Sequence, residues 1–225
     1  MSIIPVWRSP DGTLAAAQPG ALHLWLIDTD MPLSAGLGCL SSDERERAGK
    51  MLAQTAAQRF CAARIGLRRI ISGYLGVDAA SIRFSYGKHG KPGLAYPSAR
   101  LQFNLSHSGR LALLALTDTD EIGVDIEPLD SRPALMAIAG KLFGEETQKS
   151  LEMLEASQRT QCFFQLWTLR EARAKCIGNS VFSQPDMRIS ALNFTPEAGW
   201  VAAVAMTRTI PEPSTWCSYR LAPLV

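Results

Sequence analysis

The segment Gly123-Val-Asp125-Ile-Glu127-Pro128 alternates acids with branched apolar residues. On a strand this puts Asp125 and Glu127 on one face, about 7 Å apart along the chain, and Val124 and Ile126 on the other. Some forty residues on, Trp167, Glu171 and Lys175 recur at intervals of four, which lines them up on one face of a helix. A chain with both patterns needs strands with one buried face and at least one long amphipathic helix. Taken alone, the acidic pair is common on half-buried strands, and a Glu171–Lys175 pair on a solvated helix is worth only ~0.3–0.5 kcal/mol. Brought together, three carboxylates and an ammonium would suit a hard divalent cation and a polyphosphate, since such a cation takes oxygen ligands and leaves positions for phosphate and water.

The other elements follow from punctuation. Leu22 to Ile27 reads as a first strand. Ser41-x-x-Glu44 has capping-box spacing and opens a charged helix, and a second helix is expected from about Thr55 to Ser72, stopped by Gly73. Ser81 to Tyr86 reads as a strand and Gly87 to Gly93 as loop. A short strand over Leu101-Gln-Phe103 is expected to run into Asn104-Leu-Ser106-His107-Ser108. The apolar runs Leu111 to Thr117 and Ile122 to Glu127 flank the polar Asp118 to Glu121 and read as a hairpin. A helix start is expected near Pro133, a long helix from Ser157 to Ile177 before Gly178, and strands over Met187 to Leu192, Trp200 to Thr207 and Trp216 to Leu221. Gln58-Arg-Phe60 and Gln161-Cys-Phe163 faintly echo one another.

Composition excludes more than it selects. With 225 residues, 47% of them hydrophobic and 20% charged, the chain can bury a core, and a net charge of only +2 gives no reason to expect nucleic-acid binding. The five cysteines are scattered and form no Cys-x-x-Cys, so they read as reduced, buried thiols of a cytoplasmic protein. No stretch is long and apolar enough to anchor in a membrane. Lys91 precedes Pro92 where a phosphate-binding loop needs Ser or Thr, Gly36-x-Gly38 lacks the third glycine of a dinucleotide fingerprint, and no Gly-x-Ser-x-Gly elbow is present.

In order, Gly90-Lys91-Pro92, Phe103-Asn-x-Ser106-His107-Ser108, Gly123-Val-Asp125-x-Glu127 and Trp167-Thr-x-Arg-Glu171-Ala-x-x-Lys175 resemble the successive motifs of the 4'-phosphopantetheinyl transferases, in their larger single-chain class. The resemblance covers about residues 40 to 180. It implies an α+β fold of two similar α/β halves, residues 1–110 and 111–225, related by a pseudo-twofold axis with coenzyme A and Mg2+ (or Mn2+) between them. It further implies metal ligation by Asp125, Glu127 and Glu171, and contact of Lys175 with the coenzyme A phosphates. Lys91, Ser106 and His107, joined by Arg59, would hold the adenosine 3'-phosphate end, Arg47 matches a further basic position of the cofactor site, and Glu171, directly or through a metal-bound water, would accept the serine proton.

The activity implied is transfer of 4'-phosphopantetheine to a serine of an apo acyl or peptidyl carrier protein by a monomer, releasing adenosine 3',5'-bisphosphate. A metal-dependent phosphohydrolase and a noncatalytic, pseudo-dimeric coenzyme A-binding protein are the alternatives. Two positions depart from the family pattern: Arg170 stands where lysine is usual, and Glu44 where a relative carries lysine, which would weaken the outer phosphate contacts.

Overall fold

The computed structural model describes residues 3–10, 20–30, 32–33, 36–130 and 135–222. Four layers follow one another: a long helix, a four-stranded sheet, a three-stranded sheet and a second long helix. The strands are β1 (His23–Asp28), β2 (Arg83–Tyr86), β3 (Pro92–Tyr96), β4 (Gln102–Ser108), β5 (Leu111–Thr117), β6 (Ile122–Pro128), β7 (Ser190–Phe194), β8 (Trp200–Met206) and β9 (Cys217–Arg220). The helices are α1 (Ser42–Gly49), α2 (Gln54–Leu75), α3 (Leu135–Phe143), α4 (Glu145–Glu152) and α5 (Ala156–Cys176). The first sheet has the order β4-β5-β1-β9, the second β6-β8-β7, and β2-β3 is a separate hairpin.

Strand alternation builds the layers. On β1, Leu24 and Leu26 face the second sheet, where they meet Val124, Ile126, Ala202 and Val204, while Trp25 and Ile27 face α2 with Leu67, Ile70 and Ile71. On the far side Ala172 and Cys176 of α5 pack on Ala203 and Ala205 of β8. The first sheet draws strands from both sides of position 110, since β5 and β9 belong to it. The expected α+β class is what forms, and among the described residues no helix is long and apolar enough to cross a membrane. All five cysteines are free thiols, buried or partly buried.

Several expectations require correction. The 111–127 hairpin does not form: β5 pairs with β4 and β1, whereas β6 pairs with β8, so the chain changes sheets at residues 118–121. The hairpin is instead β4–β5, turning at Gly109. Gly73 does not stop α2, which continues to Leu75 and is capped by Gly76 with φ 64°, the left-handed conformation that ends a helix cheaply only at glycine. Ser106 and His107 do not follow the strand but lie within β4, paired with Leu113 and Ala112. Strand β3 occupies part of the expected loop, α4 gave no signal, and β7 begins three residues late. The helix start near Pro133 lies outside the described residues; α3 is described from Leu135.

Candidate functional site

Asp125 and Glu127 stand on the α5 face of β6 because Val124 and Ile126 are committed to the core between the sheets. Gly123 makes this possible. A side-chain carbon there would meet the Ala172 carbonyl oxygen at 2.1 Å and the Cys176 nitrogen at 2.3 Å, so only glycine lets β6 run directly beneath α5. That approach carries Glu171 and Lys175 onto Asp125.

The geometry is tight. Lys175 Nζ donates to Asp125 Oδ1 at 2.6 Å and to Ser106 Oγ at 3.0 Å, and lies 3.7 Å from Glu171 Oε2. The Ser106 hydroxyl donates to the same Asp125 Oδ1 at 2.8 Å. Asp125 is 3% exposed, and its second oxygen, Oδ2, is buried without a hydrogen-bond partner. The other strand of the seam is β4, which lies alongside β6 through side chains rather than a backbone ladder. Asn104 Oδ1 accepts from Val124 N at 2.9 Å, and Ser108 Oγ donates to Glu127 Oε2 at 2.7 Å. Asn104, Ser106 and Ser108 share one face of β4 through the two-residue period of a strand.

Burial pushes the Glu171 carboxyl above its ordinary range; Asp125 and Glu127 push it the same way, and Lys175 opposes them. Lys175 still shows 30% of its side chain to solvent, yet its ammonium is closely surrounded by protein. Burial would lower its pKa, but Asp125 and Glu171 overcome that and hold it protonated beyond its usual range.

The donor chemistry fits a hard divalent cation: carboxylates from β6 and α5, one with an oxygen lacking any partner. As placed, no three carboxylate, histidine or cysteine side chains among the described residues are grouped closely enough to hold an ion. The Lys175 ammonium, between Asp125 and Glu171, occupies that middle ground.

The outlying residues divide. His107 is on the face of β4 opposite Ser106, exposed; crowding by protein lowers its pKa, with Lys175 and then Arg47 adding to the effect. Arg47 is exposed on α1 with its guanidinium 5.2 Å from the Phe60 ring. Arg59 is paired bidentately with Asp30 at 2.7 and 3.1 Å. Lys91 donates to the Cys176 carbonyl at 2.5 Å and to Glu121, a cation at the C-terminal end of α5 where the helix dipole favours one. Trp167 stacks on Phe163 in the apolar cluster beneath α3.

Both departures from the family pattern have structural explanations. Glu44 does not face a ligand: it is 2% exposed, accepts from Ser41 N at 2.9 Å and Arg68 Nε at 2.7 Å, and pairs with Arg64. Arg68 also donates to the Ala79 and Ile82 carbonyls and Arg64 to the Tyr86 hydroxyl, so this Arg–Glu–Arg cluster fastens α1, α2 and the β2–β3 hairpin together. Arg170 donates to the Val181 carbonyl at 2.7 Å and the Ser183 carbonyl at 3.0 Å, holding the loop after α5 with a two-pronged contact that lysine could not reproduce. Asn104 and Ser108 were not anticipated as site residues; their two-residue spacing around Ser106 was the available signal.

A strand-borne acid pair, a helical acid and a shared ammonium thus meet where α5 crosses β6. Comparison with known proteins is specific. A family model for the 4'-phosphopantetheinyl transferase superfamily matches residues 121–221, and one for the 4'-phosphopantetheinyl transferase N-terminal region matches residues 28–119. The chain is similar to the 4'-phosphopantetheinyl transferase HetI of Nostoc sp. (strain PCC 7120), with 34% identity over 93% of this chain and 96% of that protein. It is also similar to the 4'-phosphopantetheinyl transferase Sfp of Bacillus subtilis (strain 168), with 30% identity over 71% of this chain and 72% of that one. The chain belongs to the 4'-phosphopantetheinyl transferase superfamily.

Proposed function

We propose that the Asp125–Glu127–Glu171–Lys175 centre is where this transferase passes 4'-phosphopantetheine from coenzyme A to a serine hydroxyl of an apo acyl or peptidyl carrier protein. The observation that carries the reading is the buried, unpartnered Asp125 Oδ2 beside Glu171 and an ammonium. Asp125, Glu127 and Glu171 would hold Mg2+ or Mn2+, which when bound would neutralise diphosphate charge and favour departure of the leaving group. Lys175 places a positive charge where leaving-phosphate charge develops, and Ser106 fixes the ammonium's position. Glu171 accepts the serine proton. The serine oxygen forms its bond to the β-phosphorus as the bond to the bridging oxygen breaks, and adenosine 3',5'-bisphosphate leaves with the electron pair.

His107 and Arg47, electrostatically coupled on one side of β4, suit the 3'-phosphate. Lys91 and Arg59 would join them by exchanging Glu121 and Asp30 for phosphate oxygens. The chain is read as two halves, residues 1–110 and 111–225, related by a pseudo-twofold axis, and the backbone passes from the first sheet to the second at residues 118–121. The change of sheet there, the meeting of the two family matches and the Gln58/Gln161 echo support a pseudo-twofold relation. The protein is read as a cytoplasmic monomer, and an acidic carrier would associate more weakly as salt rises.

The reading is tested by incubating an apo carrier protein with coenzyme A, Mg2+ and this protein. Modified carrier and equimolar adenosine 3',5'-bisphosphate are expected, and neither once the metal is chelated. Release of a nucleotide without any carrier would instead indicate a hydrolase.

A further inference from the structure

Lys175 and a divalent cation draw on the same oxygens. The ammonium, the Ser106 hydroxyl and Asp125 Oδ1 form a closed ring of hydrogen bonds at 2.6, 2.8 and 3.0 Å, with Glu171 Oε2 3.7 Å from the same ammonium. Both donors fall on Oδ1, so Oδ2 has no partner although it is buried. An ion bound by Asp125 and Glu171 would sit against this positive charge in a poorly solvated place, where like charges repel strongly. Lys175 nevertheless has room to move: it is on the last turn of α5, its side chain is 30% exposed, and its charge is a compact one on a flexible four-carbon stem.

We propose that Lys175 is a tethered counter-ion that gates the metal position. Metal alone is held weakly, because it competes with the ammonium for Asp125 and Glu171. A diphosphate draws the ammonium off Asp125 and admits the ion, so cofactor and metal bind cooperatively and each strengthens the other by the same factor. This inference rests on the reading of Asp125, Glu127 and Glu171 as the metal-holding set.

The experiment is a Mn2+ titration of the full chain without coenzyme A, followed by the electron paramagnetic resonance signal of free Mn2+, for wild type, Lys175→Met, Lys175→Gln and Lys175→Arg. Circular dichroism checks folding, and the second neutral variant serves if the first fails to fold. The neutral variants are expected to bind Mn2+ roughly tenfold or more tightly than wild type. Mn2+ should raise their Tm more than that of wild type, while Lys175→Arg stays weak. Adding Asp125→Asn to Lys175→Met should erase the gain. Neutral variants that bind Mn2+ no better than wild type, with wild type binding it once coenzyme A is present, would overturn the gate alone. No Mn2+ binding by any protein, even with coenzyme A, would overturn the carboxylate reading itself.

Discussion

Gly123 of β6 lies so close to Ala172 of α5 that a methyl group at position 123 would stand 2.1 Å from the Ala172 carbonyl oxygen. This contact sets how near α5 comes to β6, and so whether Glu171 and Lys175 reach Asp125. The atoms that the methyl would meet are all backbone, which no rotamer change can move aside. Gly123→Ala is therefore expected to destabilise the chain by roughly 3 kcal/mol or more, the severe end of overpacking, measured by urea denaturation. A stability within error of wild type would show that α5 can lift off without cost.

Glu44 anchors two buried arginines, and removing one partner of such a cluster strands the others. Glu44→Ala should cost roughly 3–5 kcal/mol. Burial alone would raise the Glu44 carboxyl; Arg64, the Ser41 backbone and Arg68 outweigh it and hold the carboxyl below its ordinary 4.5. A depressed folded pKa means this contribution is complete above the unfolded value and is lost as pH falls through the folded one. The stability gap between wild type and Glu44→Gln, read from urea midpoints, should therefore be widest well above the unfolded 4.5 and shrink steadily as pH falls below it. A gap that widens on acidification would contradict the assignment.

Glu171 has the opposite sign. Its folded pKa is raised, by burial first and then by Asp125 and Glu127, so the ionised form is carried at a cost that sets in as pH rises past the unfolded 4.5 and is complete above the folded value. In metal-free buffer Glu171→Gln should raise Tm by ~2–4 °C while lowering transfer at least ~100-fold. Calorimetry and a transfer assay read the two effects. A lower Tm would mean that Lys175 more than offsets the burial of Glu171.

His107 faces away from Asp125, toward the side where Arg47 lies. If the 3'-phosphate sits there, His107→Ala should reduce the preference for coenzyme A over 3'-dephospho-coenzyme A, measured as a ratio of kcat/KM values. An unchanged ratio would remove His107 from that subsite.

The alternation in 123–128 and the four-residue spacing of Trp167, Glu171 and Lys175 were enough to place the acids on a strand face and the helical stripe, because each pattern maps onto one local geometry. What local pattern could not show was which strands pair. The 118–121 segment has hairpin chemistry, yet Ile122, Val124 and Ile126 pack face-on against Leu24, Leu26 and Leu113 of the first sheet, and β6 takes its ladder from β8. Glu44 illustrates the same limit: its capping role was visible three residues from Ser41, whereas its partners Arg64 and Arg68 lie twenty and twenty-four residues away. Arg170 likewise drew notice as a departure from pattern, and only the loop it fastens explains it.

The most direct test is intact-mass spectrometry of an apo carrier protein after incubation with coenzyme A, Mg2+ and either wild type or Asp125→Asn, the latter shown to be folded. Wild type should add one phosphopantetheine, about 340 Da by formula, and the variant should do so roughly a hundredfold to a thousandfold more slowly. Equal rates for the two proteins would contradict the claim that the β6–α5 carboxylate centre performs the transfer.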